Sequence, residues 1–143
     1  MKKKVVICLY APASKGKTSS IRIVHDMLAG SKKKIWESEK KWDFSSIIKL
    51  KENTIGCSSL GDPDSDQEER LEELMKDYQC DIIVTASRIK GTTVEIVEKL
   101  SAKYGYSIKW ISPIYGYEVE QDYILDVFHQ TNAEAIINLI NKI

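Results

Sequence analysis

Residues 5–21 read VVICLYAPASKGKTSSI, and the fold turns on how this stretch is read. One reading is a secretory leader. Three lysines, Lys2 to Lys4, precede an apolar segment, and Ala11-Pro12-Ala13 has the small residues of a cleavage site. Against it, the apolar segment is about seven residues, the low limit for a leader, and Pro12 sits inside the cleavage motif. The other reading is a buried, β-branched strand over 4–10 that leads through a tight loop into an amphipathic helix over 18–28. Ile21, Val24 and Leu28 share one face of that helix, and Gly30 follows as a stop. The second reading accounts for every residue of the stretch and is the one adopted.

The pattern repeats outward from there. Residues 44–50 and 54–59 read as strands, and Lys51-Glu52-Asn53 between them is short enough for an antiparallel hairpin over 44–59. Gly61-Asp62-Pro63-Asp64 is a turn. Ser65 and Glu68 predict a capping box for a helix carrying Leu71, Leu74, Met75 and Tyr78. Residues 81–86 form a further strand. Thr92 and Glu95 cap a helix with Val94, Val97 and Leu100, ending near Gly105, and 106–111 is the next strand. Residues 112–131 carry no clear pattern beyond a helical turn or two at 122–128. Residues 133–143 close the chain as a helix. Strands alternating with helices predict one three-layer α/β/α domain over 1–143, with a mostly parallel sheet of about five strands.

Composition agrees. The chain has 143 residues, 43% hydrophobic and 29% charged, which suits one soluble globular domain. No apolar run is long enough for a membrane span. Net charge is zero, so a broad nucleic-acid surface is not indicated. The lysine runs 32–34 and 40–41 read as solvated surface. Cys8, Cys57 and Cys80 lack any CxxC spacing and are odd in number, which predicts free thiols and a reducing, cytoplasmic setting.

In open α/β sheets ligands bind beyond the carboxyl ends of the strands. That rule nominates residues 11–18, 60–64, 86–92 and 112–117. The first of these contains Ala11-x-x-x-x-Gly16-Lys17-Thr18. After a strand and before a helix, such a loop turns successive backbone N–H groups inward, and the helix start adds its positive dipole end. The spacing resembles the P-loop (Walker A) of the P-loop NTPases, with Ala11 where the pattern has its first Gly. That resemblance implies a P-loop NTPase-like fold and binding of Mg²⁺ with ATP (or GTP). It implies that residues Ala13, Ser14, Lys15, Gly16, Lys17, Thr18 and Ser19 hold the phosphates. Lys17 would reach the β- and γ-phosphates, and the Thr18 hydroxyl would bind Mg²⁺.

P-loop enzymes also place an acidic residue at a strand end to hold the metal. No strand here ends cleanly in one, and Asp62 is the best-placed candidate, with an ordinary turn residue before Pro63 as the alternative. Arg88 follows the strand over 81–86 and could clamp or stabilise transferring charge. Lys90 lies beside it. His25 and His129 have no ligand spacing and no arguable triad. Residues 114–117 could wall the pocket. The hairpin before Gly61-Asp62 is similar to small GTPases, but residues 85–91 read Thr-Ala-Ser-Arg-Ile-Lys-Gly, without the guanine-reading Asn-Lys-x-Asp. Small kinases share the architecture but close an Arg-rich lid that this chain lacks. The expected activity is phosphoryl transfer to water or a small-molecule or protein acceptor. The alternative is a nucleotide-binding switch or degenerate binding module with little turnover.

Overall fold

The computed structural model describes residues 3–13, 15–116 and 121–143. Ten elements follow one another: β1 (Val5–Tyr10), α1 (Lys17–Met27), β2 (Ser31–Glu37), β3 (Phe44–Leu50), β4 (Asn53–Ser58), α2 (Gln67–Lys76), β5 (Ile82–Ser87), α3 (Thr92–Tyr104), β6 (Ser107–Ile111) and α4 (Asp122–Lys142). They build one six-stranded sheet in the order β2-β3-β4-β5-β1-β6. β1 runs parallel to both its neighbours, β5 and β6, and β4 runs parallel to β5. β3 is antiparallel to β4 and to β2.

β1 is apolar without alternation because both its faces are covered. Val5, Ile7 and Leu9 pack against Ile21 and Val24 of α1 and Ala133, Ile136 and Ile140 of α4. Val6 and Cys8 face the other way, onto Leu71, Leu74 and Met75 of α2 and Val97 and Leu100 of α3. The molecule is therefore a mixed α/β structure in three layers, as its sequence predicts. No helix among the described residues is long and apolar enough to cross a membrane. All three cysteines are free and buried.

Three expectations are corrected. The sheet has six strands, not about five, because the lysine-rich segment after α1 is β2. Its side chains are largely exposed, as read from the sequence, but its backbone pairs with β3 from Ser31↔Lys49 to Glu37↔Phe44, with a register shift between Lys34 and Trp36. Lysines on an edge strand discourage pairing with other chains. The anticipated side-chain caps are also absent. α2 has Asp66 at its N-cap and α3 has Gly91, neither start with a side-chain cap bond. Ser65 instead donates to the Asp62 carbonyl at 2.7 Å and accepts from Gln67 N at 3.3 Å, while Glu68 pairs with Lys99 of α3.

The third correction is α4, an unbroken helix of 21 residues where the sequence suggested an unclear stretch and a shorter helix. Asn132, a residue type favoured at helix starts, is buried mid-helix. Its Nδ2 donates to the Ile114 carbonyl at 3.0 Å, and its Oδ1 accepts from Ile114 N at 2.8 Å. This two-bond clamp ties residues 112–116 to α4.

Candidate functional site

The carboxyl ends of β1, β4, β5 and β6 lie along one side of the sheet, so the loops that follow them meet there. A cavity of about 500 Å³ opens among them. Lys15, Gly16, Lys17, Thr18 and Ser19 line one wall, Asp62 another, and Ile114, Tyr115 and Gly116 a third. Apart from Ser19, one residue past the first segment, these residues come from segments that the strand-end rule nominates. Ala13 does not line the cavity, and Ser14 and Tyr117 fall outside the described residues.

The β1–α1 loop ends at Gly16, the N-cap of α1, with φ 80° and ψ 16°. That left-handed conformation costs an L-residue with a side chain about 1–2 kcal/mol. The first helical bond runs from Ser20 N to Gly16 O. The amides of Lys17, Thr18 and Ser19 therefore have no acceptor within the helix, and among the described residues no side chain caps this end. The residues that carry these donors line the cavity.

Lys17 is 7% exposed. Its Nζ donates to the Ala11 carbonyl at 2.8 Å and to the Ser87 carbonyl at 2.9 Å, so it ties the ends of two adjacent parallel strands. Burial pushes its pKa down; the Asp62 carboxylate opposes that shift and Arg88 reinforces it. Arg88 does not enter the cavity. Its Nε donates to Asp62 Oδ1 at 3.1 Å, and Arg88 lines a neighbouring hollow with Pro12, Pro63, Lys90 and Gly91. Gly61 allows this pairing: a Cβ there would lie 2.7 Å from the Ala86 Cβ, so only glycine lets the β4–α2 loop lie against β5.

The Thr18 hydroxyl meets Asp43, not Asp62. Thr18 Oγ1 lies 3.4 Å from Asp43 Oδ1, which also accepts from Ser59 Oγ at 2.9 Å. Sequence reasoning missed Asp43 for a topological reason. β3 is antiparallel, so its amino end lies beside the carboxyl ends of the parallel strands, and a rule about carboxyl ends passes over it. Trp42 and Arg22 join the cavity from the same side, with Arg22 Nη2 donating to the Trp42 carbonyl at 2.6 Å.

His129 was missed as well. α4 brings Leu125, Phe128 and His129 onto the cavity, and the imidazole rests on the β1–α1 loop itself. A Cβ at residue 16 would fall 2.3 Å from His129 Nε2. His25, by contrast, is a core residue, edge-on to the Phe44 ring at 5.3 Å. The lining carries Lys15, Lys17 and Arg22 against the carboxylate of Asp62, a balance that suits an anion. Among the described residues no group of three or more His, Cys, Asp or Glu could by itself hold a metal ion. No family model, curated protein or solved structure matches this chain.

Proposed function

We propose that the chain is a P-loop protein that binds Mg²⁺–nucleoside triphosphate, ATP or GTP, and transfers the terminal phosphoryl group to water or a small acceptor. The observation that carries this reading is the β1–α1 loop: a left-handed Gly16 at the uncapped start of α1, followed by a buried Lys17, facing a cavity of about 500 Å³. The open amides of residues 17–19 and the helix dipole would hold phosphate oxygens. Lys17 would exchange its bonds to Ala11 and Ser87 for phosphate, regaining a full charge partner. The Thr18 hydroxyl, aligned by Asp43, and the Asp62 carboxylate would hold the metal. Mg²⁺ supplies charge neutralisation across the phosphates and needs only one or two protein ligands when substrate oxygens complete its shell. Arg88 serves as an auxiliary charge through Asp62.

One observation favours the second reading, a nucleotide-binding module with little turnover. Asp62 is paired with Arg88, and Asp43 is engaged by two hydroxyls. Each carboxylate is thus already held through its Oδ1 by other side chains of the protein.

Thermal unfolding with Mg²⁺–ATP and Mg²⁺–GTP tests nucleotide binding, with Lys17→Ala as the control. Ligand at about 100 times its Kd adds about 2.7 kcal/mol, which raises the midpoint by about 5–10 °C for a domain of this size. The rise is expected in the parent and absent in Lys17→Ala, each measured from its own ligand-free midpoint. No rise with either nucleotide at millimolar concentration overturns the proposal. A phosphate-release assay then separates turnover from binding alone.

A further inference from the structure

We propose that His129 sets the affinity of the β1–α1 loop for phosphate, by filling in the ligand-free protein the space over Gly16 that a bound phosphate needs. This rests on the nucleotide reading above. A glycine at the helix start lets a ligand come close to the backbone. Here the group that comes close is the imidazole: its Nε2 and Cδ2 would lie 2.3 and 2.5 Å from a Cβ at residue 16. Ring and phosphate would compete for one place, since His129 and the residues whose first-turn amides would bind phosphate line the same cavity.

The ring is held there by its helix and not by bonds of its own. Among the described residues His129 makes no hydrogen bond or ion pair. The helix is anchored further along, from the Asn132 clamp through Ala133, Ile136 and Ile140 in the core. Residues 122–131 include none that is buried. The half-buried side chains Leu125, Phe128 and His129 are spaced i, i+3, i+4 and all face the cavity. Withdrawing the ring therefore breaks no polar contact and disturbs no core packing. When the binding-competent state is only a fraction of the population, apparent affinity falls by that fraction. An imidazole that covers the loop about nine-tenths of the time weakens phosphate binding about tenfold.

Calorimetric titration of Mg²⁺–ATP into the parent, His129→Ala and His129→Phe tests this. His129→Ala should bind about tenfold more tightly. His129→Phe, which refills the space with a ring lacking any donor, should bind no more tightly than the parent. Proton NMR of the parent provides a check that needs no variant. The chain has two histidines, and on adding Mg²⁺–ATP the His129 ring resonance should move while that of His25 stays. Equal affinity in the parent and His129→Ala overturns the inference and leaves nucleotide binding standing. Weaker binding by His129→Ala also overturns it, and makes the imidazole a phosphate ligand. Failure of both proteins to bind Mg²⁺–ATP removes the nucleotide reading and this inference together.

Discussion

Gly16 carries two constraints at once. Its φ of 80° favours glycine on conformational grounds, and the His129 ring fills the place of a Cβ. Gly16→Ala should therefore cost about 1–2 kcal/mol for the left-handed backbone, plus the smaller cost of displacing the His129 ring. A fall in thermal midpoint of several degrees is expected. Gly16→Ala in a His129→Ala background should recover the collision part alone, so the two substitutions should not be additive. Additive losses would mean that the ring moves aside freely and that backbone strain is the whole effect. Lys17 shows a different economy. Its ammonium group is buried without a carboxylate bonded to it, and two backbone carbonyls take that role. An anion entering the cavity would offer it a better partner.

At the scale of elements, polar groups are concentrated where the sheet meets α2 and α3. Ser45 of β3 pairs in register with Ser58 of β4, and the next position on β5 is Thr85. The three hydroxyls form a row across neighbouring strands, fully buried and without hydrogen-bond partners among the described residues. A buried unsatisfied hydroxyl costs about 1–3 kcal/mol. Thr85→Val keeps the shape and removes the hydroxyl, so it should raise stability by about 1 kcal/mol, read as a higher urea midpoint at unchanged m-value. A lower midpoint would show that the hydroxyl is bonded in solution, by water held between sheet and helix. The same elements explain why the bodies of the helices were easier to read than their caps. Apolar spacing marks α1, α2 and α3, whereas their N-termini are shaped by loop contacts such as Arg88 N to Thr93 Oγ1 at 2.9 Å.

The whole molecule responds to alkali through its buried thiols. Burial pushes Cys8, Cys57 and Cys80 from 9.0 up to about 12. Between those values the unfolded chain gives up protons that the folded chain keeps. The thiol contribution to stability is thus complete below pH 9 and is lost as pH climbs towards 12. Each such thiol removes about 1.4 kcal/mol per pH unit in that interval. Burial also raises the Tyr106 hydroxyl, with the same sign. Lys17, whose pKa is lowered, acts in the opposite direction, one group against several. The urea midpoint should therefore change little up to pH 9 and fall steeply above it. A midpoint that holds or rises above pH 9 would mean that water reaches the thiols.

The sequence by itself determined the strand–loop–helix unit around residues 5–28, the hairpin at 44–59 and the α/β alternation. It also nominated three segments that contribute to the cavity, 11–18, 60–64 and 112–117, together with 86–92, which does not line it. These are consequences of burial: a covered strand must be apolar, a half-covered helix must repeat every three to four residues, and loops after parallel strands share one side of the sheet. The tertiary structure alone decided the rest. β2 is an exposed edge strand whose lysines carry no burial signal. The first turns of α4 contain no buried residue, so they leave no periodicity to read. Asp43 and His129 reach the loop across long stretches of chain, through an antiparallel strand and a helix clamped by Asn132. Periodicity records which face of an element is covered. It does not record which elements cover it, because that depends on strand order, and strand order is set by packing across the whole sheet.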